Sequence, residues 1–208
     1  MRRFISPTVA AVLLAALTIS FAVAQNPKDK QDPAAATPAP APAAAAVAPA
    51  NDEPIVTKMR VQDYKETPYF YSSTETTLNQ IGQVVPETLP KLFAAIKENN
   101  VEVTGPMIFV YHGATQDRDK PFKLEIGFTV APGAKEAGDF KVRDLEPFHC
   151  ASVIYSGPIT QVGVAYQGLF TELFGAGLQP TGETREMYLY WESPESPNNV
   201  QVIMAGVN

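Results

Sequence analysis

The feature that most constrains the fold is an internal repeat in the C-terminal part of the chain. Ile81-Gly82 aligns with Val162-Gly163, and the apolar positions that follow keep the same phase in both copies. Each copy has an apolar strand, a stripe of apolar residues at helical 3–4 spacing, and two further strands. The sequence therefore predicts two β-α-β-β repeats, at about residues 56–131 and 138–207.

Two such units, each with one apolar helix, form an α+β domain with an antiparallel sheet. We expect the two copies to meet edge to edge about a pseudo-twofold axis. The helices should cover one face of the sheet and leave a ligand groove on the other. Pro86 lies inside the first helical stripe and predicts a kink or a fresh helix start, because proline lacks the N–H donor for the carbonyl of Gly82.

The N-terminal residues have the layout of a secretory signal. Arg2 and Arg3 precede an apolar run from Val9 to Val23, and small residues at 22 and 24 form a cleavage site after Ala24. The run is shorter than the roughly 20 residues that span a bilayer. We expect residues 1–24 to be removed and the protein to be exported to the periplasm or beyond, without membrane insertion. An uncleaved anchor is the alternative.

Residues 25–54 are rich in Ala and Pro and contain no aromatic residue. Such a segment buries too little apolar surface to fold, so it is predicted to be a disordered linker. Residues 55–208 are then long enough for one domain with its own core. The formal net charge of −6 and the lack of basic clusters argue against nucleic acid as a partner.

The cysteine and histidine residues do not form a pattern typical of a metal or cofactor site. Cys150 is the single cysteine, which excludes an internal disulfide, and its apolar strand favours a small buried side chain. His112 and His149 are the two histidines, and neither has a second ligand at metal spacing. We therefore predict no metal site and no cofactor.

Three strings carry a resemblance to a known family: Leu124–Val130, Ser156–Ile159 with its Gly-Pro, and Arg185–Leu189 with the sequence REMYL. In this order they resemble the GyrI-like domains, which include the effector-binding domains of AraC-type and BmrR-type regulators. The resemblance implies tandem β-α-β-β units with a cleft for hydrophobic, often cationic, small molecules. Some similar proteins hydrolyse cyclopropane-containing toxins. Ser73–Thr76 departs from the Gly-Pro expected in the first copy.

The candidate binding residues are one acid and four tyrosines. Strand alternation places Glu186, Tyr188 and Tyr190 on one face, and Tyr71 and Tyr111 share the phase expected for the groove. A carboxylate among aromatic rings attracts a cation, and the resemblance places the family's pocket glutamate at Glu186. The alternatives are a solvated carboxylate on an exposed sheet and ordinary packing of the rings.

The sequence thus predicts an exported protein that holds a hydrophobic, possibly cationic ligand between two repeats. One alternative is a hydrolase of cyclopropanoid compounds, with Glu186 as general base and a tyrosine as acid. A second is a haem-binding module with His112 or His149 as axial ligand. A third is a domain that acts through protein contact alone.

Overall fold

The computed structural model describes residues 53–208, so the predicted signal peptide and nearly all of the predicted linker lie outside the described residues. The described part contains nine strands and two α-helices, and no helix in it is long and apolar enough to cross a membrane. The strands are β1 (Ile55–Val56), β2 (Arg60–Tyr64), β3 (Thr67–Thr76), β4 (Val103–His112), β5 (Phe122–Val130), β6 (Lys141–Leu145), β7 (Phe148–Ser156), β8 (Pro180–Tyr190) and β9 (Val200–Val207), and the helices are α1 (Ile81–Glu98) and α2 (Gly163–Gly175).

The order of elements confirms the predicted α+β class. β3, α1, β4 and β5 form one β-α-β-β unit, and β7, α2, β8 and β9 form the next. Pairing is antiparallel and follows the same order in each unit, β3–β5–β4 and β7–β9–β8. The units join where β4 pairs with β8. The pseudo-twofold axis itself stays a prediction.

The strand pairings close into a ring. β2 passes into β3 through Lys65 and Glu66, and β6 passes into β7 through two residues. β2 pairs with β7 and β3 pairs with β6 in one unbroken register, from Arg60 opposite Ser152 to Tyr71 opposite Lys141. This long ladder connects the two outer edges of the nine-stranded sheet, so the sheet forms a barrel with few free edges.

The two sheet faces therefore have different environments. Both helices pack on the outside, where Leu92 of α1 and Leu169 of α2 are fully buried. Residues of opposite strand phase point into the ring and are buried without any helix above them: Tyr69, Tyr71, Ile108, Val110, Leu145, Phe148, Cys150, Val202 and Met204. Ring closure turns the helix-free face inward and fills much of it with side chains, so the ligand groove expected on that face stays a prediction.

A charged cluster also lies on the inner face. Glu125 of β5 is completely buried, yet Lys123 Nζ and Arg143 Nη2 each lie 2.6 Å from one of its oxygens. His112 Nε2 lies 3.5 Å from the same carboxylate, and Arg143 also lies over the ring of Tyr71. The acid is thus compensated by Lys123 from its own strand and by Arg143 from β6.

Helix α1 is continuous through its prolines. It runs from Ile81 to Glu98 with Pro86 and Pro90 inside it, so no new helix starts at Pro86, and the alternative of a kink there stays a prediction. A proline in a helix removes one backbone donor but does not prevent helix formation when tertiary packing compensates. Leu92 and Ala95 supply that packing by burying the inner stripe of α1 against the sheet.

Candidate functional site

Glu186 lies near the middle of β8, in the part of the barrel where the two units meet. Its backbone pairs with Phe109 of β4 on one side and Ile203 of β9 on the other. The residue is only 4 % exposed. Its side chain points to the outer face, because it contacts Tyr166 of helix α2. Glu186 therefore faces the helices, which corrects the expectation that it faces away from them.

Three tyrosine hydroxyls donate hydrogen bonds to the Glu186 carboxylate. Tyr166 donates to Oε1 over 2.6 Å, while Tyr188 and Tyr111 donate to Oε2 over 2.7 and 2.9 Å. These donors come from α2, β8 and β4. Both carboxylate oxygens are thus engaged by neutral hydroxyl donors, and no Lys, Arg or His of residues 53–208 forms an ion pair with Glu186.

The tyrosines of this cluster keep their protons at neutral pH. Burial, followed by the negative charge of Glu186, raises the pKa values of Tyr111, Tyr166 and Tyr188 well above the usual value. Each hydroxyl is therefore a fixed donor to the carboxylate. The cluster is thus a buried acid shielded by three neutral hydroxyls.

Aromatic rings surround the same cluster. The Phe109 ring lies 4.8 Å from that of Tyr188, between ring centroids, and Trp191 meets Tyr188 edge-on at 6.0 Å. Ring faces attract cations through their quadrupoles. Trp191 is also partly exposed and is the single tryptophan of the chain, so its fluorescence reports on this region.

The structure brings together three of the five predicted site residues, Glu186, Tyr111 and Tyr188. Tyr71 is buried on the inner face of the barrel, where it stacks on Tyr69. Tyr190 is 51 % exposed and donates its hydroxyl to Glu192. The register shift between positions 188 and 190 separates Tyr190 from the regular alternation of β8.

Tyr166 is the residue that sequence reasoning missed. It lies in the apolar stripe of the second predicted helix, and such a position favours an ordinary core residue. A buried tyrosine hydroxyl usually needs a polar partner, so a tyrosine in an apolar helical stripe is a sign of a polar group opposite it. That partner is Glu186.

Two cavities of about 290 and 310 Å³ lie elsewhere, and both are lined by Tyr64. The first cavity is bounded by inner-face residues such as Ile108, Met187 and Met204. The second is bounded by residues of β2 and β7 such as Gln62 and Ser152. Glu186 lines neither cavity. The carboxylate is enclosed by its tyrosines, so a ligand must displace part of their cover to contact it.

The two histidines each lie beside carboxylates and do not share a centre. His112 lies between Glu125 and Glu183, 3.5 Å from each, and His149 Nδ1 is 2.8 Å from Asp63. Within residues 53–208 no group of three or more His, Cys, Asp or Glu side chains is placed to hold a metal ion.

The model of the GyrI-like small molecule binding domain matches residues 57–204. The chain belongs to the GyrI-like family. A search of curated protein sequences finds no match.

Solved structures of GyrI-like fold resemble the described domain. The EcmrR C-terminal domain superposes with a TM-score of 0.64 at 16 % identity, over 73 % of this chain and 97 % of that one. The protein SAV2435 bound to tetraphenylphosphonium gives 0.53 at 9 % identity, over 73 % and 98 %. A hydrolase from Listeria innocua gives 0.51 at 13 % identity, over 73 % and 92 %. At these identities the likeness establishes the fold.

Proposed function

We propose that this GyrI-like domain binds a hydrophobic cation at the Glu186 cluster. The observation that carries the proposal is a buried carboxylate with three hydroxyl donors and no cationic partner among the described residues. Taking a carboxylate out of water is costly unless an opposite charge compensates it. A ligand cation supplies that charge, and the rings of Phe109 and Tyr188 supply apolar contact.

Tyr166 is the part of the cover that moves when the ligand enters. Tyr111 and Tyr188 sit on strands whose backbones are hydrogen-bonded on both sides, whereas Tyr166 is carried by a helix that packs on the sheet through side chains. Displacing the Tyr166 hydroxyl frees Oε1 of Glu186 for the cation. The tetraphenylphosphonium bound to SAV2435, a protein of similar fold, is a suitable probe.

The test is a titration of the protein with tetraphenylphosphonium, followed by Trp191 fluorescence and by calorimetry. Glu186→Gln keeps the size of the side chain and removes its charge, so we expect affinity to fall about tenfold to a hundredfold. Glu102→Gln is the matched control, because it removes an exposed carboxylate remote from the cluster in sequence. Equal affinity in the wild type and Glu186→Gln would refute the electrostatic role.

The same geometry favours binding over the hydrolase alternative. A general base must hold a water against one of its oxygens, and the three tyrosine hydroxyls take three of the roughly four acceptor positions of the Glu186 carboxylate. The raised pKa values of those tyrosines also disfavour their loss of a proton. Turnover of a cyclopropanoid substrate, abolished by Glu186→Gln, would reverse this preference.

We also propose that the protein works outside the cytoplasm, on the strength of the N-terminal sequence. Mass spectrometry of the protein recovered from the envelope or medium should give a mature chain that begins at Gln25. Recovery of the intact chain from the cytoplasm would contradict export.

A further inference from the structure

Gln201 is a buried polar residue on the face that carries Glu186. It lies on β9, directly opposite Tyr188 of β8 and Tyr155 of β7. Residues directly opposite each other in a sheet project from the same face. Since the Tyr188 hydroxyl reaches Glu186 on the helix-covered side, Gln201 projects to that side as well.

The amide of Gln201 has no hydrogen-bond partner among residues 53–208. The residue is 2 % exposed, and neither Oε1 nor Nε2 is satisfied there. Neither tyrosine neighbour is a partner: the Tyr188 hydroxyl donates to Glu186, the Tyr155 hydroxyl donates to the carbonyl of Pro158, and neither hydroxyl oxygen accepts from Nε2 of Gln201. Nearly all buried polar groups in native proteins are paired, so an amide with two free atoms requires an explanation.

Gln201 is close enough to Glu186 to contact the same small molecule. Glu186 is opposite Ile203, so Gln201 is its diagonal neighbour across β8 and β9. Diagonal neighbours on adjacent strands lie about 7–8 Å apart. A ligand of ordinary size spans that distance, and the side chains of both residues can reach toward it.

We propose that Gln201 is the specificity-determining residue of this site and hydrogen-bonds a polar group of the ligand. The ligand class is then a hydrophobic cation that also carries an amide, carbonyl or hydroxyl group a few bonds from its charge. Glu186 compensates the charge, while the Gln201 amide can both donate to and accept from the polar group. The inference rests on the proposed function and narrows it, since a purely hydrocarbon cation leaves Gln201 unpaired.

The experiment uses two phosphonium probes of the same shape. One is (3-carbamoylpropyl)triphenylphosphonium, and the other is (4-methylpentyl)triphenylphosphonium, in which an isopropyl group replaces the amide. Dissociation constants of both probes are measured for the exported wild-type protein, for Gln201→Leu and for Glu186→Gln. Gln201→Met is a second variant of matched length, and far-UV circular dichroism checks the fold of each.

We expect Gln201→Leu to weaken the carbamoyl probe relative to the hydrocarbon probe by about fivefold to tenfold, the value of one hydrogen bond. Gln201→Met should do the same. Glu186→Gln should weaken both probes by the same factor and leave their ratio unchanged.

Other outcomes separate the two proposals. If both probes bind and their ratio is the same in the wild type, Gln201→Leu and Gln201→Met, the inference about Gln201 is wrong while the cation site stands. If the Gln201 variants change the melting temperature but not the ratio of the two dissociation constants, the amide binds a structural water. That result also overturns the inference about Gln201. If neither probe binds the wild type, both proposals fall.

Discussion

The acid sensitivity of the protein should be governed in part by Glu125, on the inner face of the barrel. Burial by itself would raise the pKa of this carboxyl, but the hydrogen bond from Arg143 and the close approach of His112 and Lys123 outweigh it and lower the pKa from 4.5 to about 2. A shift of this size corresponds to about 3 kcal/mol of folding free energy. Lys123 is half exposed, so solvent screening reduces the expected contribution of Glu125 to the folding free energy to about 2–3 kcal/mol.

The direction of the pH dependence follows from the lower pKa of Glu125 in the folded state. Stability from the ionised Glu125 is fully present above pH 4.5, the value expected for the unfolded chain, and is lost as the pH falls toward about 2. The free energy of unfolding of the wild type should therefore exceed that of Glu125→Gln at neutral pH. The difference between them should shrink by about 2–3 kcal/mol between neutral pH and pH 2.

The assay is urea unfolding across this pH range, followed by Trp191 fluorescence and by far-UV circular dichroism. Glu102→Gln is the control, because its carboxylate is exposed and forms no ion pair among the described residues. Its difference from the wild type should be small and should not follow the same pH dependence. A difference between the wild type and Glu125→Gln that stays constant with pH would refute the role given to the ion pairs.

Two further predictions concern the inner face. Burial raises the pKa of the Cys150 thiol to about 12, so Ellman's reagent should label it only in denaturant; rapid labelling of the folded protein would contradict its enclosure. Gly127→Ala should lower the free energy of unfolding by about 1–3 kcal/mol, because the added Cβ would meet the carbonyl oxygen of Phe70 and lie 2.7 Å from Cβ of Tyr71. Gly168→Ala on helix α2, where a Cβ meets nothing within 4 Å, should instead be neutral or stabilising, as equilibrium denaturation can show.

The repeat in the sequence predicted the order of elements because strand and helix periods are local properties. Alternation along β8 correctly placed Glu186 and Tyr188 on one face. The same local pattern could not reveal the bulge that removes Tyr190 from this face, because a bulge depends on how the partner strand β9 is paired.

Two features of the site depended on contacts between distant segments. Tyr166 joins Glu186 only because α2 packs over the strand that carries the acid, and the sequence alone does not give that docking. Gln201 lies beside Tyr155 and Tyr188 in the sheet, but their hydroxyls bond to Pro158 and Glu186, and its amide has no partner among residues 53–208. Each feature is a property of the packed fold and not of one segment.

The sequence by itself determined the α+β class, the succession of two β-α-β-β units and the residues that share a strand face. Only the tertiary structure decided which face is the inside. Period two fixes the relative sides of neighbouring residues, but both sides of β3 are apolar, with Phe70 beneath α1 and Tyr71 inside the ring. The absolute side is fixed when β2–β3 pairs with β6–β7 and closes the barrel, since closure gives the helix-free face a core of its own.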